Sequence, residues 1–249
     1  MSTREFVVVL APGRFDATLA QARVAWAGYH AAADVVLATE YGSGKFDPAL
    51  IADGWDHFRG NGECVVAWDT DLFAPAWKGA GHADRIGSPF FRGGNLHAQT
   101  PLTSMPLRHL PTGRLVMFRV PHTPAHVQAG DGFRRTTPRV IGQAAAWVSS
   151  LAAMGRLSRR FTVHHKNAAQ VIAGDWNVDT HRAHWRGVIS TALGLSCAKP
   201  LPTGGDLGNR LVSWFFHRGL TVESSRVLTK RAGFDHNPVR VRFSIKETP

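Results

Sequence analysis

Val171-Ile-Ala-Gly-Asp175-Trp-Asn177 is the stretch of this 249-residue chain on which its fold turns. A β-branched, apolar run reads as a buried strand; it ends in Gly and then presents a carboxylate and an amide two residues apart. Alternation along an extended segment places residues i and i+2 on one side, so Asp175 and Asn177 converge on one ligand. Asp and Asn after a strand are also ordinary turn formers, and the stretch alone leaves both readings open. Asp34-Val-Val-Leu-Ala-Thr-Glu40 has the same layout, an apolar strand delivering one acid at its end. Taken singly, Glu40 reads as a solvated strand-end residue.

Short β-rich runs recur outward from there, at Phe6 to Leu10, Asp34 to Ala38, Cys64 to Trp68, Leu115 to Val120, Gln170 to Ala173, Leu211 to Phe216 and Val239 to Phe243. Between the first two, Leu19, Ala22, Trp26, Tyr29 and Ala33 follow the steps of an amphipathic helix starting near Asp16, which makes a β-helix-β unit. A second helical pattern covers Val140 to Arg156, with Ile141, Ala144, Val148 and Leu151 on one face. A third runs from about Arg182 to Leu195. The last run alternates apolar and basic residues, as in a strand with one wet face. Interleaved helices and strands predict a mixed sheet, or a pair of packed sheets, covered by helices. No repeat, low-complexity tract or long polar linker divides the chain, so residues 1–249 are expected to form one domain.

Composition narrows the classes. Hydrophobic residues at 44% give a sizeable core, and there is no apolar run of about eighteen residues and no apolar segment behind the N-terminal MSTREF. The expectation is a soluble, intracellular protein that neither spans nor binds a membrane. Cys64 and Cys197 stand far apart with no CxxC pair, which excludes a disulfide scaffold and a thiolate-rich zinc site. The formal charge is +11, from 29 Lys and Arg against 18 Asp and Glu, and favours a polyanionic partner, nucleic acid first. Arg outnumbers Lys 23 to 6, a bias that suits bidentate phosphate contacts and that a GC-rich genome also produces. Arg134, Arg135 and Arg139, and Arg156, Arg159, Arg160 and Lys166, read either as a phosphate path or as solvated faces. His164, His165, His181 and His184 have no third metal-ligand pattern and read as exposed histidines. The glycines form no phosphate-cradling loop motif.

Two further segments complete a set. Arg119-Val-Pro121-His122-Thr-Pro-Ala-His126 follows a strand, and Gly233-Phe-Asp235-His236-Asn-Pro238 precedes the last one with an adjacent acid and imidazole. The order DVVLATE, FRVPHTPAH, VIAGDWN and GFDHNPVRVRF resembles the endonuclease/exonuclease/phosphatase superfamily of DNase I-like enzymes, across essentially the whole chain. The resemblance implies an α+β fold, a four-layer α/β/β/α sandwich of two packed mixed β-sheets flanked by helices, and metal-dependent phosphodiesterase activity. It implies Mg²⁺ or Mn²⁺ as cofactor, with Glu40 and Asp235 at the metal. Asp175 and Asn177 would orient the attacking water and hold the phosphate, His236 would act as general base or phosphate contact, and His122 would be the second active-site histidine. Trp176 is either a base-stacking substrate contact or a packing residue.

The chain departs from the family pattern twice. Phe6-Val-Val-Val-Leu-Ala11-Pro12-Gly13 lacks the Asn expected after the first strand. In Leu211-Val-Ser213-Trp-Phe-Phe-His-Arg-Gly219, Ser213 stands where an Asp orienting the catalytic histidine is expected, and Asp206 or Glu223 are the candidate substitutes. The expected function is a Mg²⁺-dependent nuclease acting on DNA. The alternatives are an impaired member serving as a nucleic-acid-binding or structural component, and a phosphatase or phospholipid-type phosphodiesterase of the same fold.

Overall fold

Phe6, Val8 and Leu10 face one way along the first strand and Val7, Val9 and Ala11 the other, and all six are buried. A strand apolar on both faces needs a layer on each. The computed structural model describes residues 4–12, 17–41, 46–60, 63–92, 95–97, 99–124, 138–207, 209–228 and 236–245. In chain order the elements are β1 (Glu5–Pro12), α1 (Leu19–His30), β2 (Val35–Thr39), α2 (Asp47–Leu50), β3 (Trp55–Arg59), β4 (Val65–Asp69) and β5 (Phe73–Pro75). There follow β6 (His82–Ile86), β7 (Phe90–Arg92), β8 (Asn95–His97), β9 (Thr100–His109), β10 (Arg114–Pro121), α3 (Pro138–His164) and β11 (Ala169–Asp175). The chain continues through α4 (Ala183–Leu193), β12 (Ser196–Cys197), β13 (Ser213–Arg218), β14 (Leu220–Val227) and β15 (Val239–Ile245).

One sheet has the order β14-β15-β1-β2-β4-β3, and the other β12-β13-β11-β10-β9-β5 with β6 also paired to β9. Each is mixed, with a single parallel pair: β1 with β2 in the first, β10 with β11 in the second. Phe6 carries the contact between sheets, stacked 5.7 Å from Phe243 in its own sheet and edge-on to Phe73 at 5.4 Å and Phe118 at 6.1 Å across the interface. On the other face, Val7, Val9, Val36 and Ala38 pack against Ala22, Trp26 and Tyr29 of α1. Thr18 caps that helix: its hydroxyl accepts from Gln21 N, and the Gln21 side chain accepts from Thr18 N. α3 and α4 cover the second sheet, completing the expected α/β/β/α sandwich.

α3 is longer than its periodicity indicated, and its buried face is rotated. Ala146, Trp147, Ser150, Leu151, Met154, Ser158 and Phe161 point inward, whereas Val148 is exposed. Two polar residues on that face, Ser150 and Ser158, hid it from a hydrophobic count: Ser158 donates to Gln170, which also accepts from the buried Arg119, and Ser150 pairs with Thr100. Among the described residues, no helix is long and apolar enough to cross a membrane.

Candidate active site

The two parallel strand pairs end at the same pole, and the residues that follow them gather there. β2 delivers Glu40, β10 delivers His122, and β11 ends in Asp175. Gly174 makes the second junction possible, because a Cβ at that position would lie 2.2 Å from Pro121 O. The close approach extends the parallel pairing to a bridge between His122 and Asp175. Thr123 secures it, donating its backbone N–H (3.2 Å) and its hydroxyl (2.8 Å) to Asp175 O.

Asp175 and Asn177 do converge, by a different route from simple alternation. Asn177 has φ +53°, so the chain turns rather than continuing extended. Asp175 Oδ1 accepts from Asn177 N at 2.8 Å, an Asx turn, and the Asn177 amide donates to Thr123 O at 2.9 Å. Among the described residues, Glu40, at φ +55°, is the other non-Gly residue with positive φ. Two such conformations cost about 1–3 kcal/mol each, and both lie beside the same cluster.

His122 sits between two carboxylates, Nε2 at 3.3 Å from Glu40 and Nδ1 at 2.5 Å from Glu63. Burial by itself favours the neutral ring, but the bonds to both acids overcome it and hold the pKa at about 10. His122 is thus an imidazolium with both N–H groups committed, a cation rather than a base. Glu63 escaped the sequence reading. It stands two residues before β4, and because β4 runs antiparallel to β2 its start lies beside the end of β2, where Tyr41 N donates to Glu63 O at 2.9 Å. The signal was an acid at the head of an apolar strand adjacent to one ending in Glu40.

Asp175 is 4% exposed, and burial pushes its carboxyl up to about 6 against the pull of His122, His236 and the Asn177 N–H. His236 joins from the segment before β15, its Nδ1 3.8 Å from Asp175 Oδ2 and 3.8 Å from Asp206 Oδ2. Ser213 lies directly across from Asp175 in the β11–β13 register. Glu223 bonds Ser244 on the exposed side of the β14–β15 pair and takes no part.

Of the two readings of Trp176, packing is the one seen and substrate contact is not. It is fully buried, with Nε1 donating to Trp214 O at 2.9 Å and its ring edge-on to Phe216, so it packs beneath the site and offers no face to a substrate. Arg156, Arg159, Arg160 and Lys166 also lie away from the cluster, on the last turns of α3 and in the turn that leads into the start of β11, opposite Asp175. Asp235, His126, Arg134 and Arg135 fall outside the described residues, as does the side chain of Arg139.

The donor set is one of hard oxygens, which suits a Mg²⁺-type cation. Among the described residues no three His, Cys, Asp or Glu groups surround one point. Such a cation keeps most of its waters and takes one or two carboxylates, and Glu40, with a quarter of its side chain exposed, fits that demand.

No family sequence model and no curated protein sequence matches this chain. Solved structures do. An endonuclease/exonuclease/phosphatase family protein from Bacteroides thetaiotaomicron is similar at TM-score 0.71 and 16% identity, covering 97% of this chain and 95% of its own. The human nocturnin catalytic domain aligns at TM-score 0.69 and 14% identity, over 98% of this chain and 94% of that one. A mannosyl-6-phosphatase from Bacteroides thetaiotaomicron aligns at TM-score 0.68 and 16% identity, over 96% and 99%. Likeness across nearly the full length of each chain fixes the architecture: this protein has the fold of these structures, the α/β/β/α sandwich of two packed mixed sheets.

Proposed function

We propose that the protein hydrolyses phosphate esters with the help of a divalent cation, Mg²⁺ or Mn²⁺, and that its substrate is DNA. The observation that carries the reading is the meeting of Glu40, His122, Asp175, Asn177 and His236 at the pole where both parallel strand pairs end. Glu40, with Asp235, would hold the cation, which when bound supplies charge neutralisation at the scissile phosphate. The protein's own groups do the rest. The imidazolium of His122, its two N–H groups held by Glu40 and Glu63, places a fixed positive charge beside the phosphate and orients Glu40. The Asn177 amide, fixed by its bond to Thr123 O, sits where it orients the ester. Asp175 and His236 position a water for in-line attack and take its proton. The structural relatives, a mannosyl-6-phosphatase among them, support phosphoester chemistry. The choice of DNA is supported by the +11 charge.

The test is supercoiled plasmid with and without Mg²⁺ or Mn²⁺, with Asp175→Ala and His236→Ala proteins prepared in parallel. Metal-dependent nicking abolished by both substitutions is the expected result. Ser213 favours a second reading, a binding member without turnover. Plasmid left uncut yet retarded on a gel in a salt-sensitive way would establish it, and turnover on small phosphomonoesters alone would move the substrate instead.

A further inference from the structure

Ser213 opens a gap in the site, and the fold fills it from elsewhere. β13 begins with Ser213 across from Asp175, and no residue of that strand offers a carboxylate to His236. Seven residues earlier, Asp206 comes from the loop that precedes β13 and reaches the same place. Its side chain is fully buried, with Oδ1 accepting from Val212 N at 2.8 Å and Oδ2 from Ser213 N at 3.0 Å. A carboxylate bonded to the two backbone groups that lead into the strand is held as firmly as one carried by the strand itself.

The same loop is tied to the histidine. Asn237 N donates to Asp206 O at 2.8 Å, so the residue after His236 is anchored to the residue whose carboxylate lies 3.8 Å from its ring. That distance is an ion-pair separation. Asp175 Oδ2 is equally distant from Nδ1; Asp206 differs in that its side chain is wholly buried and its carbonyl also holds Asn237, the residue after His236. We propose that Asp206 is the positioning residue for His236, a carboxylate relocated from strand to loop that fixes the imidazole in the tautomer with the proton on Nδ1. Nε2 is left as the acceptor. The Ser213 hydroxyl lies beside that carboxylate and favours its charged form, opposing the burial that pushes its pKa up. Serine at 213 therefore belongs to the arrangement, because a second acid there would meet Asp206 at contact distance.

This inference rests on the phosphoesterase reading for its kinetic arm and stands without it for its spectroscopic arm. Protein labelled with ¹⁵N-histidine, assigned with His236→Ala, reports the tautomer directly. Wild type should carry the His236 proton on Nδ1, and Asp206→Asn should redistribute it between the two nitrogens. In turnover of bis(p-nitrophenyl) phosphate with Mg²⁺, Asp206→Asn should lower kcat by about 100-fold or more with KM nearly unchanged, as loss of an orienting carboxylate does elsewhere. In a His236→Ala background the same change should have no further effect, whereas a purely structural role would lower both backgrounds alike. Ser213→Asp combined with Asp206→Ala should recover much of the lost kcat, and thermal melts of every variant separate misfolding from this outcome. An unchanged Nδ1 signature in Asp206→Asn, or multiplicative losses in the double variant, overturns the proposal. Wild-type protein inert towards plasmid and bis(p-nitrophenyl) phosphate overturns the hydrolase reading instead, and the tautomer measurement still decides Asp206.

Discussion

Asp175→Asn should make the protein more stable while it abolishes turnover, and the gain should vanish in acid. Asp175 is 4% exposed, and its carboxyl is lifted from 3.8 to about 6, so the charged form is disfavoured in the fold even after His122 and His236 attract it. A displacement of about two units corresponds to roughly 3 kcal/mol at 1.36 kcal/mol per unit. The sign follows from proton counts. Between pH 3.8 and about 6 the folded chain keeps a proton on Asp175 that the unfolded chain has released, so stability is full below 3.8 and is lost as pH rises through about 6. Asparagine resembles the protonated acid and retains the acceptor for Asn177 N. It should therefore recover up to about 3 kcal/mol above pH 7, or about 6–12 °C in Tm for a chain of this size. Urea melts of both proteins in EDTA from pH 4.5 to 8 measure this, since groups remote from Asp175 titrate equally in the two and cancel, and His122 stays protonated across that range. An Asp175→Asn protein less stable than wild type at pH 8, or a difference independent of pH, would refute the account of a carboxylate buried against its preference.

Gly174→Ala should unfold the junction that the site depends on, because its Cβ would meet Pro121 O at 2.2 Å; Gly187→Ala, in α4 with open space around it, should be neutral or stabilise by up to about 1 kcal/mol. Chemical denaturation of the pair checks both. His122 should stay protonated in NMR titration through pH 8 in metal-free protein, and Glu63→Gln should lower its pKa, since the two acids are what hold it at about 10. The stabilising contribution of that pairing is present below pH 6.5 and is lost as pH rises through about 10. Asn177→Gly should retain the fold, because glycine accepts φ +53° freely, while removing the amide, so circular dichroism should be unchanged and plasmid nicking lost. Asn177→Ala should instead be destabilised by about 1 kcal/mol or more.

What the sequence disclosed and what it withheld divide along physical lines. β1, β2, β4, β10, β11 and β15 were legible because both of their faces, or alternate residues, are apolar. β6, β7 and β8 are three to five residues long with polar sequences such as His82-Ala-Asp-Arg-Ile86, and their pairing with neighbours, not their own pattern, makes them strands. β14 was hidden for a related reason: it is an edge strand, mostly exposed, that alternates by burial only weakly. Glu40, His122, Asp175 and Asn177 were legible as strand-end residues, while Glu63 was not, since its meaning depends on the register of β4 against β2. Trp176 stayed open between substrate contact and packing because inward and outward positions next to a turn are decided by backbone dihedrals that no single sequence displays. Asp206 was open as a substitute for the missing acid and became a partner of His236 only when the loop before β13 closed over Val212 and Ser213.

The charge of the site runs against the charge of the protein. Glu40, Glu63, Asp175 and Asp206 supply four carboxylates against the imidazolium of His122, so with His236 in its neutral tautomer the described cluster carries −3 inside a chain of +11. A basic exterior raises the local concentration of a polyanion, but an acidic floor repels the phosphate it must reach, and burial strengthens the repulsion. One divalent cation offsets most of that charge. The pairing of His122 with two acids therefore does not complete the site electrostatically. It leaves an excess of negative charge sized for a cation that arrives with, or before, the substrate, and chelation should weaken phosphate-ester binding as well as stop turnover.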